Sequence, residues 1–128
     1  MLVSLAKHNL DEKGRIVVPA VFRGSLEGEL VVAAGDHGEL ELWPKDAFLE
    51  QADRKQAAEH DGAEGHRQFT RFMANSAEAK LDGQFRIALP ENLRTKAGID
   101  RARPLYLIGL RTRIAIWDND RYEAYVGD

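Results

Sequence analysis

The chain has no cysteine. Disulfides, thiolate metal sites and a cysteine nucleophile are therefore excluded, and the composition suits a reducing compartment. No apolar run approaches the ~20 residues that a membrane-spanning helix needs. Residues 1–10 include Lys7, His8 and Asn9 and lack the apolar stretch of a secretory signal. There is no Pro-rich or low-complexity linker, with only four prolines in 128 residues. A cytoplasmic protein is expected. Its hydrophobic fraction of 44% is ordinary for a globular protein. The length suits one domain or two very small ones.

Strong net charge is also missing. The total is −3, which taken as an average argues weakly against a nucleic-acid partner. The distribution differs. Residues 1–26 carry a net +2 and residues 85–113 a net +5, while residues 27–64 carry −8. Residues 65–84 add +1, and residues 114–128 are again acidic at −3. Local patches decide whether phosphates are attracted. Without further pattern, such islands would be solvated faces.

The pattern is an internal repeat. The segment from Leu10 to Arg23 aligns with that from Leu81 to Arg94 at a constant offset of 71, with Leu, Asp, Arg, Ile, Pro and the final Arg identical. Further on, Leu40-Glu41-Leu42-Trp43 aligns with Ile114-Ala115-Ile116-Trp117 at an offset of 74. The slip of three can be absorbed near Ala97-Gly98-Ile99. Each copy opens a basic island. The chain reads as two copies of one small unit joined by an insert: residues 1–43, 44–75 and 76–128.

Within a unit, Leu5–Leu10 is a short strand and Asp11 to Gly14 a tight turn. Arg15–Val18 is a β-branched strand that Pro19 ends, opening a short helix. Leu30–Ala34 and Glu39–Trp43 flank the turn Gly35-Asp36-His37-Gly38. The second unit predicts strands at 77–81, 86–89, 105–110 and 112–117. In the insert, Pro44 starts a helix running to about His60. Asp61, Gly62 and Gly65 break it, and Phe69, Phe72 and Met73 mark a second helix over about 64–75. Asp118 to Asp120 can cap a terminal helix carrying Tyr122, Tyr125 and Val126.

Asp-x-x-x-Arg at a turn sets a carboxylate beside a guanidinium. One reading is a turn salt bridge, worth ~0–1 kcal/mol when exposed. The other is an aspartate that orients an arginine to read a phosphate or a guanine edge with two parallel bonds. Two copies among Lys13, Arg23, Arg94, Lys96, Arg101, Arg103, Arg111 and Arg113 favour binding, though both readings stand on the residues alone.

The run Asn9-Leu10-Asp11-Glu12-Lys13-Gly14-Arg15-Ile16-Val17-Val18-Pro19 resembles the first signature of the MraZ family, in the AbrB/SpoVT swapped-hairpin class of bacterial regulators. The second Asp82-x-x-x-Arg86, the Trp-ended strands and the helix through Phe69–Met73 follow in matching order over essentially the whole chain. The resemblance implies an α+β fold, mainly β with helices: a double-unit AbrB-like β-barrel of two pseudo-twofold related halves with a helical insert. It implies a ring-shaped homo-oligomer on the nucleoid that binds double-stranded DNA at short direct promoter repeats and represses its own division and cell-wall gene cluster. Asp11 and Arg15 would form one recognition corner and Asp82 and Arg86 the other; on this reading Lys13 and Arg23 lie on or near phosphates, and Arg94 contributes with Arg86 from the second half. Two departures stand out. Ser4 and Phe85 occupy positions where the family usually has glycine, and Gly83 is expected to supply the second turn's freedom in place of Phe85.

Other residues read plainly. His60 to His66 contains possible metal ligands, but its glycines suggest a flexible loop, and its spacing fits no zinc pattern. No Ser–His–Asp arrangement or phosphate-cradling glycine loop is present, so no catalytic, cofactor or metal residues are expected. Trp43 and Trp117 read as core or subunit contacts. Lys45, Arg54 and Lys55 read as a solvated helix face. The competing class is an oligomeric interaction protein that has lost DNA binding; an antitoxin-like regulator would carry one hairpin unit rather than two.

Overall fold

The computed structural model describes residues 2–58 and 62–127. In chain order the elements are β1 (Leu5–His8), β2 (Arg15–Val17), α1 (Ala20–Arg23), β3 (Leu30–Ala34), β4 (Leu40–Pro44), α2 (Lys45–Ala57), α3 (Ala63–Ala74), β5 (Ser76–Ala79), β6 (Arg86–Ala88), α4 (Glu91–Ala97), β7 (Leu105–Gly109), β8 (Ile114–Asp118) and α5 (Asn119–Val126). The mixture is α+β with antiparallel strand pairs.

Six strands form one sheet in the order β1-β7-β8-β4-β3-β5, and β2 and β6 form a separate two-stranded ribbon. The pairing is exchanged between the repeats. β1 pairs not with β2 but with β7, and β5, its counterpart, pairs with β3. The ribbon joins one strand from each repeat. At the sheet's centre β4 pairs with its own counterpart, β8. This is the swapped-hairpin arrangement: each hairpin's two arms run apart and interleave with the other repeat.

The main core lies between the sheet and the ribbon. Leu30, Val32, Leu40, Leu42, Leu105, Leu107, Ile114 and Ile116 project from the sheet's inner face. Ile16, Val18, Ile87 and Leu89 meet them from the ribbon, with Phe22 from α1 and Leu93 from α4. Alternation along β3, β4, β7 and β8 sends every second residue to the opposite face. There Val31, Ala33 and Trp43 pack with Phe48 and Ala52 of α2 and with Phe72 of α3. Trp117 stacks on Tyr125 of α5 at 4.8 Å. Both tryptophans are buried, as expected of core residues. Glu41 on this face accepts from Arg113 at 3.0 Å. Burial pushes its carboxyl up, and Arg113 acts against that shift.

The termini of the helices show local causes. Pro19, Pro44 and Pro90 each precede a first helical residue, where a fixed φ and a missing N–H cost nothing. Asp118 caps α5 by accepting from the amides of Asp120 and Arg121, each at 3.1 Å. The slip in the repeat falls after α4, where Gly98 closes the helix in the left-handed conformation.

Two expectations change. Helix α2 spans Lys45–Ala57, and the expected continuation to about His60 runs into residues 59–60, which lie outside the described residues. Residues 63–66 form the first turn of α3 rather than a flexible loop, where Glu64 accepts from Arg67 and Gln68 one turn on. Lys45 and Lys55 are not simply solvated. Lys45 pairs with Glu29 at 3.0 Å and lies 3.7 Å from Glu78, and Lys55 lies 4.9 Å from the Phe72 ring centroid.

Ile16 and Ile87 face each other directly across the ribbon and are almost fully buried. Truncating either to alanine is expected to cost ~2–4 kcal/mol in denaturant melts. The double variant should cost less than the sum, because the two share one cavity. A cost below ~1 kcal/mol for either would contradict this packing.

Candidate nucleic-acid interface

Each Asp-x-x-x-Arg corner is a closed hydrogen-bonded unit. Asp11 Oδ1 accepts from the amides of Lys13 and Arg15, both at 2.9 Å, while Oδ2 accepts from Arg15 Nε at 2.8 Å. Asp82 Oδ1 accepts from the amides of Gln84 at 2.8 Å and Arg86 at 2.9 Å, and Oδ2 from Arg86 Nε at 2.7 Å. One carboxylate therefore fixes both the turn and the arginine. Nε is committed inward, and the guanidinium's outer N–H groups remain for a ligand.

Both carboxyls are held below the usual aspartate range. The largest cause is the backbone amide of Arg15 or Arg86; desolvation, next in size, acts in the other direction, and the amide of Lys13 or Gln84 and the guanidinium add to the lowering. Because the folded value is the lower one, each corner stabilises the fold above the ordinary carboxylate range. That contribution is lost as pH falls through the lowered value.

The ribbon brings the corners together. Arg15 lies opposite Ala88, and Val17 opposite Arg86. Arg15 and Arg86 are thus diagonal neighbours on one face, ~7–8 Å apart by strand geometry. The intervening residues Ile16 and Ile87 point into the core. This face is the solvent side of the ribbon, and each arginine side chain retains 26% exposure.

Beyond the corners, the structure adds a brace that the sequence does not show. Gly14 and its counterpart Phe85 both adopt left-handed backbone, at φ +76° and +59°. Their carbonyls then accept from the opposite repeat: Leu89 N–H donates to Gly14 at 2.9 Å and Val18 N–H to Phe85 at 2.8 Å. Arg23 and Arg94 cross over as well. Each first donates Nε to a carbonyl of its own repeat, Val18 at 2.9 Å and Leu89 at 2.8 Å. The Arg23 guanidinium then lies 4.2 Å from the centroid of the Phe85 ring. The Arg94 guanidinium covers Gly14 so closely that a Cβ there would stand 2.9 Å from its Cζ.

All seven expected site residues therefore fall around one ribbon, with unequal surroundings. Asp11, Arg15, Asp82 and Arg86 form the corners; Arg23 and Arg94 each lie against the opposite corner; Lys13 is exposed at the first corner, where the second has Gln84. The expectation for Gly83 is corrected. Gly83 is outside the left-handed region, and Phe85 itself takes the strained conformation because its carbonyl must reach Val18. Ser4 is left-handed too, at φ +88°, so both departures from family glycines keep a glycine-like backbone.

The family model described as "MraZ protein, putative antitoxin-like" matches twice, over residues 1–71 and 72–128. The chain belongs to the MraZ family. A transcriptional regulator MraZ of Nocardioides sp. is 42% identical over 117 residues, covering 91% of this chain and 79% of that protein. One from Lachnoclostridium phytofermentans is 37% identical, covering 97% and 86%. One from Acetivibrio thermocellus is 32% identical, covering 95% and 84%. The two family matches meet within α3, between residues 71 and 72, so the first takes in α2 and most of α3. Among the described residues, no cluster of three or more His, Asp or Glu side chains could hold a metal ion. No helix among them is long and apolar enough to cross a membrane.

Two predictions follow from the corner geometry. Gly14→Ala is expected to cost ~1–2 kcal/mol for its left-handed backbone, whereas Phe85→Gly should change stability by less than ~1 kcal/mol. In the latter, relief of backbone strain offsets the lost ring contact and the greater freedom of the unfolded chain. Denaturant melts showing the opposite ranking would contradict the left-handed assignments. In carboxyl-carbon NMR titrations, Asp11 and Asp82 should titrate below an unfolded-peptide aspartate. Asp11 should stay lowered in Arg15→Ala, since the residue-15 amide remains; an ordinary midpoint in wild type would refute the corner.

Proposed function

We propose that the chain is a sequence-specific, double-stranded-DNA-binding transcriptional regulator whose contact surface is the β2–β6 ribbon. One observation carries the reading: two arginines, each clamped by an aspartate, share the solvent face of one two-stranded ribbon. A two-stranded ribbon fits the major groove of B-DNA, and a guanidinium held at Nε presents its remaining N–H groups to guanine O6 and N7. Arg15 and Arg86 would read bases. Lys13, Arg23 and Arg94 would supply phosphate contacts, which add affinity without sequence information. Asp11 and Asp82 act through their arginines. The relatives named transcriptional regulators support the same class.

The finer reading is that of the family resemblance: a nucleoid-associated repressor of its own division and cell-wall gene cluster that acts as a ring-shaped homo-oligomer on direct promoter repeats. A ring would present many ribbons to repeated boxes, so weak single contacts would gain by avidity. Strands β1 and β5 end the sheet with outer edges that pair with no other strand among the described residues, and Val3 and Leu5 are exposed at one of them. These edges are the places where a neighbouring copy would fit. We read residues 1–43 and 76–128 as the two halves and 44–75 as the insert.

The test is fluorescence anisotropy on a duplex from just upstream of the chain's own gene, with a salt titration. Wild type should bind selectively over scrambled DNA, with affinity falling steeply as salt rises. Arg15→Ala and Arg86→Ala should each weaken binding by ~10–100-fold while costing less than ~1 kcal/mol of stability. A well-folded wild type with no salt-dependent DNA affinity would overturn the proposal and favour an interaction protein that keeps the corners only as turns.

A further inference from the structure

The two corners differ at one conspicuous place. Where the first has Gly14, the second has Phe85, an aromatic ring with 43% exposure on a left-handed backbone. The turn's hydrogen bonding does not need the ring, since Gly14 makes the same carbonyl contact without one. A bulky residue is also a poor choice for a left-handed position. The ring nevertheless stands at the end of the ribbon beside the clamped Arg86, with the Arg23 guanidinium 4.2 Å from its centroid. The brace to Val18 requires the left-handed backbone but not the ring, and a bulky side chain kept on strained backbone is a mark of functional sites.

We infer that Phe85 is a specificity residue, which meets the 5-methyl group of a thymine in the major groove next to the base read by Arg86. The inference rests on the DNA-binding reading above. Among base edges in the major groove, the thymine methyl is the apolar one, and phenylalanine is among the side chains that meet it. Arg23, tethered by the Val18 carbonyl and stacked on the ring, limits the ring's movement and supplies positive charge toward the adjacent phosphates. The Gly14 corner offers no apolar group there. Lys13 and Gln84 differ at the next position as well. The pseudo-twofold protein therefore reads its site with a direction: the half under Phe85 selects thymine at one place, and the half under Gly14 does not.

The experiment uses the full chain. A high-affinity duplex is first selected with wild type from a random-sequence pool. Each thymine is then replaced singly by deoxyuridine, which removes only the methyl group. Wild type should lose about fourfold in affinity at one position or two adjacent ones, the effect of one buried methyl. Phe85→Gly and Phe85→Asn, both suited to left-handed backbone, should lose that sensitivity while remaining folded and selective for the rest of the site. Phe85→Tyr should retain it. A flat deoxyuridine profile in wild type, or an unchanged profile in Phe85→Gly, overturns the inference and leaves the DNA-binding reading intact. A uniform loss of affinity in Phe85→Gly with the profile preserved also overturns it, because the ring would then only hold Arg23 in place. Failure of wild type to select any duplex overturns both readings.

Discussion

The ribbon depends on a reciprocal pair of hydrogen bonds, in which the carbonyl of each turn is taken by an amide of the other repeat. Gly14 receives Leu89, and Phe85 receives Val18. A carbonyl can be aimed this way only if its residue adopts left-handed backbone, which explains why that conformation persists where the side chain is phenylalanine. With these bonds in place, β2 and β6 align so that Ile16 meets Ile87 beneath the ribbon and the two arginines lie above it. The core below and the charged face above are two sides of one register. A slip of one residue would send the isoleucines to solvent and the arginines inward.

The exchange of strands extends the same logic. β3 pairs with β4 and β7 with β8 inside their own repeats, but β1 is held by β7, β5 by β3, and β2 by β6, so neither repeat completes its strand pairing alone. The repeats form one cooperative body rather than two linked ones. The corners end up side by side because each turn leads out of one repeat's strand and into the shared ribbon. Two weak exposed ion pairs contribute little to stability. Their value is positional, since each spends an arginine's Nε on orientation and keeps its remaining donors available.

Much of this could be read from the residues. The offset of 71 located both corners, and β-branched Ile16 and Val17 predicted a strand that proline would end. Strand β3 and the cap at Asp118 stand where local chemistry places them, because hydrophobic runs and capping residues act over a few neighbours. What could not be read was long-range. Nothing in the order of residues shows that Arg94 covers Gly14 or that Arg23 stacks on Phe85, since those contacts follow from the exchanged pairing. The repeat did hold the clue. Arg23 and Arg94 are identical while Gly14 and Phe85 are not, so one conserved brace had to meet two different turns. The family pattern, with glycine expected where Phe85 stands, points to Gly83 for the turn's freedom, whereas the bond from Val18 to the residue-85 carbonyl places the left-handed backbone at Phe85.

The absence of cysteine gives the most direct test. A single cysteine at position 13 or 84, carrying a thiol-linked iron–EDTA cleavage reagent, places a probe at either corner. Leu49→Cys, on the exposed side of α2, serves as the remote control. If the ribbon is the contact surface, the probes at 13 and 84 will both cut the bound duplex within one box, at distinct positions on the two sides of its centre, and the probe at 49 will not cut there. Strong cutting from position 49 with none from 13 and 84 would contradict the account.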